Sequence, residues 1–541
     1  MSLLWKMEKP ANEADRIPTY APGTYEREKL KRELKRIREN VEEIPLIIGG
    51  KKVKTSETVE VRCPHDHDIV LARAHLAGED ELKEAIEAAL SAWEEWSELE
   101  WYHRVAIFRK AADLLAGKHR IRNVAAIMMN LSKNSYEAEI DLAELVDFWR
   151  FNAHYLRWLY EQQPDQAPGE MNRIDWRPLE GFVVAITPFN FYSIGGNLPT
   201  APAMAGNVVL WKPSRSVIFA NFEIMKILIE AGLPEGVVNF VPFPSELSDI
   251  VFSHPDFAGL HFTGSYETLL KLWRKIADNL PVYRNFPRIV GEIGGKDFVF
   301  AHSSANAEAL VANLIRGAFE AQGQKCSAVS RAYIPESLWG QIKEGLLREL
   351  PRLKTGPVDD LESFMGAVVD GSAFKKAVSY IEYARSHPEE YEIIYGGKYD
   401  SSRGWFIEPT VVLTKNPTGK LMTEEIFAPV LTVYVYPDRE FKETLRLCAK
   451  TSPYGLTGSV FARDRSAIAL AERILRYSAG NFYINDKPTG AVVGRQPFGG
   501  GRCSGTNDKA GFWLNILRWT NPRTIKETTV PAEDWKRPFQ P

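Results

Sequence analysis

Strand and helix patterns begin to alternate in the stretch Gly181–Ser214, which reads GFVVAITPFNFYSIGGNLPTAPAMAGNVVLWKPS. It contains two short apolar runs, Phe182–Ile186 and Val208–Trp211, that are typical of strands. The alternation continues with a helix over Val217–Ala231, strands over Val237–Val241 and Gly259–Phe262, and a helix over Ser265–Asn279. Short apolar strands that alternate with helices predict an α/β fold with a parallel, doubly wound sheet.

Three candidate residues, Asn190, Lys212 and Gly264, come just after strands of this sheet. Doubly wound sheets bind ligands at the carboxyl ends of their strands, so we expect these residues near a ligand. The side-chain amide of Asn190 could hold a turn or donate a hydrogen bond to a developing oxyanion. The run Phe262–Ser265 (FTGS) suits a phosphate cradle but also an ordinary helix N-cap.

The rest of the chain predicts a second α/β domain and several helices. A second alternating block runs from Glu292 to about Val493. Upstream, the patterns predict a charged surface helix over Tyr25–Glu43, a β-hairpin over Leu46–Arg62, two amphipathic helices within Glu79–Leu115 and a helix over Glu137–Gln163. Near the other end, Trp513–Val530 has alternating apolar positions and predicts an edge strand that pairs with another subunit.

The helix predicted over Glu137–Gln163 carries an aromatic stripe made of Trp149, Phe151, Tyr155, Trp158 and Tyr160. We interpret this stripe as helix packing or a subunit contact. A substrate pocket is the less favoured alternative.

The bulk properties exclude several classes of function. The 541 residues are too many for one simple core, so we expect two or three domains. The net charge of -3 gives no reason to expect a nucleic-acid partner. Four widely spaced cysteines without a CxxC pair argue against a zinc site and suit a reducing compartment. We expect no membrane span, and Met1–Pro10 shows no secretory or transit pattern.

Cys326 and Glu292 are the residues that suggest covalent chemistry. Cys326 lies in Gly323–Ser327 (GQKCS), after an alanine-rich helical stretch, although a free cysteine is more often buried and inert. Glu292 lies in Gly291–Lys296 (GEIGGK). A thiol that attacks a carbonyl and a carboxylate that activates water would together perform acyl chemistry. The dinucleotide signature GxGxxG is absent, so that motif alone would miss a nicotinamide site.

Together these runs resemble the aldehyde dehydrogenase superfamily in nearly every signature and in the right order. The matching runs are Thr187–Asn190 (TPFN), Trp211–Ser214 (WKPS), Phe262–Ser265 (FTGS), Glu292–Lys296 (EIGGK), Gly323–Cys326 (GQKC), Glu424–Val430 (EEIFAPV) and Pro497–Gly500 (PFGG). The resemblance covers roughly Leu46 to the C-terminus. It implies a Rossmann-type cofactor domain, an α/β catalytic domain and a β oligomerisation arm.

Within the superfamily the chain is similar to the family of Δ1-pyrroline-5-carboxylate dehydrogenases, also called L-glutamate γ-semialdehyde dehydrogenases. The runs that carry this similarity are Pro188–Phe191 (PFNF), Gly480–Lys487 (GNFYINDK) and Gly505–Lys509 (GTNDK). The resemblance implies NAD-dependent oxidation of L-glutamate γ-semialdehyde to L-glutamate, the second step of proline degradation. No proline dehydrogenase region precedes the domain, so we expect the single-function form.

The resemblance also implies roles for individual residues. Cys326 is the implied nucleophile, Glu292 activates water to hydrolyse a thioester, and Asn190 stabilises the oxyanion with the Cys326 backbone N–H. The implied cofactor residues are Thr187, Phe189, Lys212, Gly264, Ser265, Tyr266, Glu267, Thr268 and Glu425. The implied substrate residues are Ser327, Gly490 and Ala491 for the carboxylate and Phe191 and Phe498 for the aliphatic chain, and no metal is implied.

Four positions depart from the family pattern. Arg215 stands where the superfamily often has an acidic residue for the adenosine ribose, so NADP is an alternative to NAD. Ala491 stands where close relatives can carry serine, and Ala428 replaces a usual glycine. Leu269 stands where many members have a second glycine, which weakens a generic phosphate-loop argument.

We expect an N-terminal helical extension over residues 1–44, an NAD-binding domain over 45–157 and 181–290, a catalytic domain over 291–512, and oligomerisation segments over 158–180 and 513–541. The terminal strand predicts a homodimer or larger assembly. We favour a cytoplasmic location, with the mitochondrial matrix as the alternative.

Three other functions stay open at this point. The chain could be a dehydrogenase for another acidic semialdehyde, or an idle family member that serves as a binding protein. It could also be a thiol hydrolase, which needs a histidine near Cys326. The nearest histidine, His261, sits within a predicted strand, where a core position is the simpler interpretation.

Overall fold

A computed structural model describes residues 8–541. The first seven residues of the predicted N-terminal extension, and most of Met1–Pro10, therefore lie outside the described residues. Within the described part, the extension contains one α-helix, Tyr25–Glu39, whose Leu30, Leu34 and Ile37 are buried. The predicted surface helix is confirmed, and its apolar face packs on the helix Arg120–Leu131.

The first sheet has seven strands. Their order is Arg288–Ile293, Phe257–Gly264, Phe182–Ile186, Val208–Lys212, Val238–Phe240, Leu46–Ile48 and Lys51–Val53. The first five are parallel, and the last two form an antiparallel hairpin at the edge. The predicted doubly wound sheet is confirmed, because the chain proceeds outward from Phe182–Ile186 and then returns to pair Phe257–Gly264 on that strand's other side.

Helices cover this sheet as the apolar patterns predict. Their bounds are Glu79–Glu98, Trp101–Ala116, Arg120–Leu131, Ser135–Tyr160, Tyr192–Met204, Ile218–Ala231, Ser248–Phe252 and Tyr266–Asp278. The aromatic stripe packs within the chain, which confirms the favoured interpretation. Trp149 is fully buried and its indole N–H donates to the Thr200 hydroxyl at 2.8 Å, while Trp158 packs on Trp513.

The second sheet also has seven strands and confirms the second α/β domain. Their order is Tyr391–Tyr395, Thr410–Thr414, Val430–Tyr436, Arg331–Pro335, Phe298–Ala301, Thr457–Phe461 and Asn481–Ile484. All are parallel except the first. The helices of this domain are Ala307–Phe319, Glu336–Glu349, Gly371–Ser386, Lys420–Thr423, Phe441–Thr451 and Arg465–Ile474.

The smaller sheets correct two predictions. The predicted hairpin Leu46–Arg62 is too long, because the hairpin ends at Val53. Thr58–Cys63 belongs to a separate three-stranded sheet, in which the central strand Asp66–His75 pairs with Thr58–Cys63 on one side and with Glu42–Ile44 on the other. Residues 513–530 are not extended throughout. Trp513–Arg518 is a helix, because its buried face packs on Ser135–Tyr160.

Only Thr520–Thr528 of that region is a strand, and it pairs with Glu170–Pro178 of the same chain. The shortest ladders join Tyr399–Asp400 with Phe406–Ile407 and Tyr454–Gly455 with Gly501–Arg502. Among the described residues, no helix is both long enough and apolar enough to cross a bilayer.

Two glycines predict opposite effects of the same substitution on stability. Gly181 has φ +115°, and a Cβ there would lie 2.1 Å from the Asp256 carbonyl oxygen, so Gly181→Ala should cost roughly 1–3 kcal/mol. Gly340 lies in the helix Glu336–Glu349 with nothing within 4 Å of an added Cβ, so Gly340→Ala should gain about 0.5–1 kcal/mol. Thermal denaturation midpoints would check both, and two shifts of the same sign would contradict the packing described here.

Candidate active site

A cavity of about 330 Å³ lies at the carboxyl ends of the first sheet's strands, where the second domain covers them. Seven of the predicted site residues line it together: Cys326, Glu292, Phe191, Ser327, Gly490, Ala491 and Phe498. They come from positions up to about 300 residues apart in the chain, so folding alone brings them together. The predicted cofactor residues do not line this cavity.

Cys326 follows the helix Ala307–Phe319 through a strained turn. Ala321, Gln322 and Gly323 have φ of 51°, 58° and 64°, and a left-handed conformation is costly for the two that are not glycine. Two contacts from the first domain hold the turn. The Ala321 N–H donates to Glu137 Oε1 at 2.7 Å, and the Gln322 amide donates to the Ser132 carbonyl at 2.6 Å.

The Cys326 thiol is buried, and this burial raises its pKa well above the ordinary value. The nearby Glu292 carboxylate raises it further, because a negative charge disfavours a thiolate. Thiolate formation needs a base or a bound cation that changes this balance.

Glu292 lies at the end of the strand Arg288–Ile293. Burial raises its pKa well above the ordinary value, the Lys509 ammonium opposes that effect, and Asp508 and Asp297 add to it. Its Oε1 has no hydrogen-bond partner among the described residues. A carboxyl group with a raised pKa and a free oxygen in a cavity is suited to proton transfer near neutral pH.

Asn190 lies beside the nucleophile loop after the strand Phe182–Ile186. Its side-chain amide donates to the Gln324 carbonyl at 3.1 Å. An amide group carries two N–H donors, so one is left for a ligand. The Cys326 backbone N–H has no acceptor among the described residues. Both donors therefore belong to the segments around the Cys326 loop, although Asn190 does not line the cavity.

Lys212 and Glu425, two of the predicted cofactor residues, are half-buried outside this cavity. Burial lowers the pKa of Lys212 to about 8, and Arg215 contributes in the same direction. Glu425 accepts a hydrogen bond from the Gly295 N–H at 3.0 Å. A Cβ at position 294 would lie 1.7 Å from Glu425 Oε1, so a larger residue there would displace the Glu425 carboxylate.

The other predicted cofactor residues border the same edge of the sheet. The Thr187 hydroxyl accepts from the Trp211 indole N–H at 3.2 Å, and the Phe189 ring meets Phe427 edge-on. Ser265 caps the helix Tyr266–Asp278 by accepting from the Thr268 N–H, so the ordinary N-cap is present. Gly264 ends the preceding strand, and Tyr266, Glu267 and Thr268 form the first turn of this helix.

His261 is buried in the strand Phe257–Gly264 and bonds the Leu198 carbonyl through Nδ1 at 2.8 Å. This confirms its interpretation as a core residue, although part of it reaches the cavity wall. Its pKa is lowered to about 3 by burial. A neutral histidine with one nitrogen engaged in this way is a poor general base at neutral pH.

Sequence reasoning missed several cavity residues, above all Lys133 and Glu144. The Lys133 ammonium pairs with Asp141 at 2.7 Å and lies 3.9 Å from the centre of the Phe191 ring. Burial raises the pKa of Glu144 to about 7, and its carboxylate accepts from the Ser193 hydroxyl at 2.6 Å. Helical spacing was the available signal, because Glu137, Glu144 and Phe148 share one face of the helix Ser135–Tyr160.

The N-terminal extension also reaches the cavity, which no sequence pattern indicated. Ala14 and Asp15 line it. The side-chain amide of Asn12 donates to Asp147 at 3.1 Å and to the Val493 carbonyl at 2.8 Å. Asn12 therefore ties the loop that follows Gly490 to the helix Ser135–Tyr160. Within residues 8–541, no group of three His, Cys, Asp or Glu side chains is placed to hold a metal ion.

The fold and site define an α/β enzyme with a nucleotide-binding type of sheet and a cysteine in its cavity. The chain belongs to the aldehyde dehydrogenase family, whose model matches residues 52–525. It is 50% identical over 525 residues to Delta-1-pyrroline-5-carboxylate dehydrogenase of Dictyostelium discoideum, covering 96% of this chain and 94% of that protein. It is 48% identical to the Homo sapiens protein of the same name, covering 98% and 95%.

Solved structures give the same result. The Delta-pyrroline-5-carboxylate dehydrogenase from Mycobacterium tuberculosis bound with NAD is 48% identical, with a TM-score of 0.95 and coverage of 99% of both chains. A Thermus 1-pyrroline-5-carboxylate dehydrogenase with bound NAD is 33% identical, with a TM-score of 0.90 and coverage of 97% of this chain and 100% of that one. Both similarities span nearly the whole chain, so they confirm the predicted fold class.

The coupling between Glu292 and Cys326 predicts a pH effect on thiol reactivity. Glu292→Gln removes a negative charge that raises the thiol pKa, so alkylation of Cys326 by iodoacetamide should begin at lower pH. Mass spectrometry of the Cys326 peptide, in a Cys503→Ser background, would measure the rate at each pH. The exposed Glu472→Gln serves as the matched control. Superimposable profiles for Glu292→Gln and the parent would contradict the coupling.

Proposed function

We propose that this protein oxidises L-glutamate γ-semialdehyde, the open form of Δ1-pyrroline-5-carboxylate, to L-glutamate with NAD. Family membership and the names of relatives at 46–50% identity support the reaction. The observation that carries the proposal is that Cys326 and Glu292 line one cavity with a carboxylate anchor at its wall. This reaction is a step of proline degradation.

The anchor consists of Ser327 and the Gly490-Ala491 backbone. The N–H groups of Gly490 and Ala491 have no acceptor among the described residues, and both residues line the cavity. Gly490 has φ +88°, a conformation that favours glycine. The Ser327 hydroxyl donates to Thr489 at 2.8 Å, so Ser327 binds a carboxylate only if this O–H rotates toward the ligand. Free backbone donors suit a substrate carboxylate.

The substrate also carries an amine, for which we propose Glu144 as the partner. Glu144 is the acid of the cavity wall that is bonded only to a neutral hydroxyl, Ser193, and to no cation among the described residues. A substrate ammonium would favour its charged form, because an opposite charge lowers a carboxyl pKa. Phe191 and Phe498 enclose the aliphatic chain between these two polar ends.

The chemistry then divides between two residues. The Cys326 sulfur attacks the aldehyde carbon to give a thiohemiacetal, whose oxyanion receives hydrogen bonds from the Asn190 amide and the Cys326 N–H. When bound, NAD supplies the two-electron oxidant for the next step, which leaves a thioester on Cys326. Glu292 takes a proton from water, and the resulting attack releases L-glutamate and restores the thiol.

Lys212 and Glu425 are the residues we propose for the two cofactor riboses. Lys212 fits this role because its ammonium has no hydrogen-bond acceptor among the described residues and lies only over the Phe243 ring. Glu425 fits because its second carboxylate oxygen is left unbonded by the Gly295 contact. We propose Thr187, Phe189 and the segment Gly264–Thr268 as the remaining cofactor contacts. Arg215 is exposed, so its side chain can lie beside either the 2′-phosphate of NADP or the 2′-hydroxyl of NAD.

We also propose that residues 158–180 and 513–541 form an oligomerisation arm, beside an NAD-binding domain over 45–157 and 181–290 and a catalytic domain over 291–512. The arm strands Glu170–Pro178 and Thr520–Thr528 pair with each other. The outer edge of Glu170–Pro178 is bonded by the side chains of Gln163 and Gln166, whereas the outer edge of Thr520–Thr528 has no strand partner within the described chain. Trp535 and Phe539 are 78% and 84% exposed. A free strand edge and exposed aromatic rings near the end of the same segment support a second copy of this chain as the partner.

For the compartment we propose a reducing one, because all four cysteines are free. The cytoplasm was the prediction from sequence. Several relatives are named as mitochondrial proteins, which supports the matrix as the alternative.

The direct test is NADH formation with Δ1-pyrroline-5-carboxylate, measured beside succinate semialdehyde and propanal and repeated with NADP. We expect turnover with Δ1-pyrroline-5-carboxylate that Cys326→Ala abolishes. Glu144→Gln should lower kcat/KM for this substrate roughly 10- to 100-fold, as loss of a charged hydrogen bond predicts, and leave propanal nearly unchanged. Preferential turnover of succinate semialdehyde would instead favour another acidic semialdehyde. No turnover of any aldehyde would favour an idle family member.

A further inference from the structure

The segment Ser504–Ala510 holds the strand that carries Glu292. The Ile293 N–H donates to the Ser504 carbonyl and the Thr506 N–H donates to the Gly291 carbonyl, both at 2.9 Å. The Gly291 N–H returns a bond to the Thr506 hydroxyl at 3.0 Å. These contacts fix the backbone on both sides of Glu292. We call this segment the clasp.

The other end of the clasp holds the wall of the cavity. Ala510 and Phe498 exchange two backbone hydrogen bonds, at 2.8 and 3.1 Å. Lys509, between these contacts, has φ +54°, and its ammonium donates to the Gly480 carbonyl at 2.9 Å and the Gly499 carbonyl at 2.8 Å. A third bond reaches Asn481 Oδ1 at 3.3 Å. Lys509 therefore anchors a fixed cation in the cavity wall.

Lys509 and Glu292 line the same cavity, and no acid of the described chain forms a salt bridge with the Lys509 ammonium. The other charged or ionisable groups near Glu292 are negative when ionised. They are Asp508 from the clasp, Asp297 from the segment after the Glu292 strand, and Cys326 from the nucleophile loop. Lys509 is thus the one positive group among those that act on Glu292. Burial lowers the Lys509 pKa and Glu292 raises it, so the two groups act on each other.

We propose that Lys509 is a positioning residue for the hydrolytic half-reaction, in which one ammonium both ties the cavity wall together and keeps the Glu292 carboxylate available as the base. This proposal rests on the proposed acyl-transfer chemistry of Cys326 and Glu292. It goes beyond that chemistry by assigning control of the base to a cation whose hydrogen bonds all go to the cavity wall.

The step it controls is hydrolysis of the acyl-cysteine. Water forms a bond to the acyl carbon while the Glu292 carboxylate takes its proton. The carbon–sulfur bond breaks, its electron pair stays on the Cys326 sulfur, and a carboxylic acid leaves. Removal of the Lys509 cation destabilises the charged form of Glu292, so a larger fraction is protonated and inactive at neutral pH.

An ester probe tests this without cofactor or natural substrate. p-Nitrophenyl acetate acylates a reactive cysteine with a burst of nitrophenolate, and the slower phase that follows reports deacylation. Lys509→Met should keep the burst, slow deacylation roughly 10-fold at neutral pH and move the acid limb of its pH profile upward by about one unit or more. Lys509→Arg, which keeps the cation, should leave the limb in place. Lys442→Met, on the exposed face of Phe441–Thr451, is the matched control.

A second variant, which should shift the acid limb of the pH profile in the opposite direction, keeps the proposal testable if Lys509→Met does not fold. Asp508→Asn removes a negative charge that raises the Glu292 pKa, so it should move the same limb to lower pH. An unchanged limb in both variants, or loss of the burst in a folded Lys509→Met, would overturn the proposal. A wild-type enzyme that deacylates normally but does not oxidise Δ1-pyrroline-5-carboxylate would count against the proposed substrate and leave the Lys509 result valid.

Discussion

The site depends on a left-handed turn that the two domains hold between them. Ala321 and Gln322 each adopt a conformation that costs an L-residue roughly 1–3 kcal/mol, so the turn persists only where its surroundings fix it. Glu137 and Ser132 of the first domain supply that constraint. Gly323 completes it, because a Cβ there would lie 2.4 Å from the Ala428 carbonyl. The nucleophile therefore takes its position from both domains at once.

Burial of the cavity between the two domains explains its electrostatics. Burial raises the pKa of the Cys326 thiol and of the Glu292 and Glu144 carboxyls, because each charged form loses its hydration. Lys133 and Lys509 introduce positive charge at separate points of the wall, and free backbone N–H groups lie at a third. A cavity with separate positive groups, free N–H donors and carboxyl groups is suited to a ligand that carries both a carboxylate and an ammonium. Charge interactions are strong there because little water screens them.

The sequence predicted most of the fold and the central residues of the site. The alternation of strand and helix patterns predicted both sheets, because a strand that is buried on both faces consists of a short run of apolar residues. Family signatures gave Cys326, Glu292 and the Gly490-Ala491 loop. Glu144, Lys133 and Asn12 were not predicted. Helical spacing places Glu144 on one face of its helix, but only packing shows that this face, Lys133 and the segment after Asn12 meet the cavity. Residues 513–518 were predicted as extended, and packing on the helix Ser135–Tyr160 made them helical instead.

In the proposed mechanism, Cys326 carries the acyl group and Glu292 activates the water that removes it. The most direct measurement is mass spectrometry of the Glu292→Gln variant, quenched in acid seconds after mixing with NAD and Δ1-pyrroline-5-carboxylate. We expect one γ-glutamyl group on the Cys326 peptide, present in the variant and scarce in the wild type. No acyl group on Cys326, or an acyl group on Cys503 instead, would contradict it.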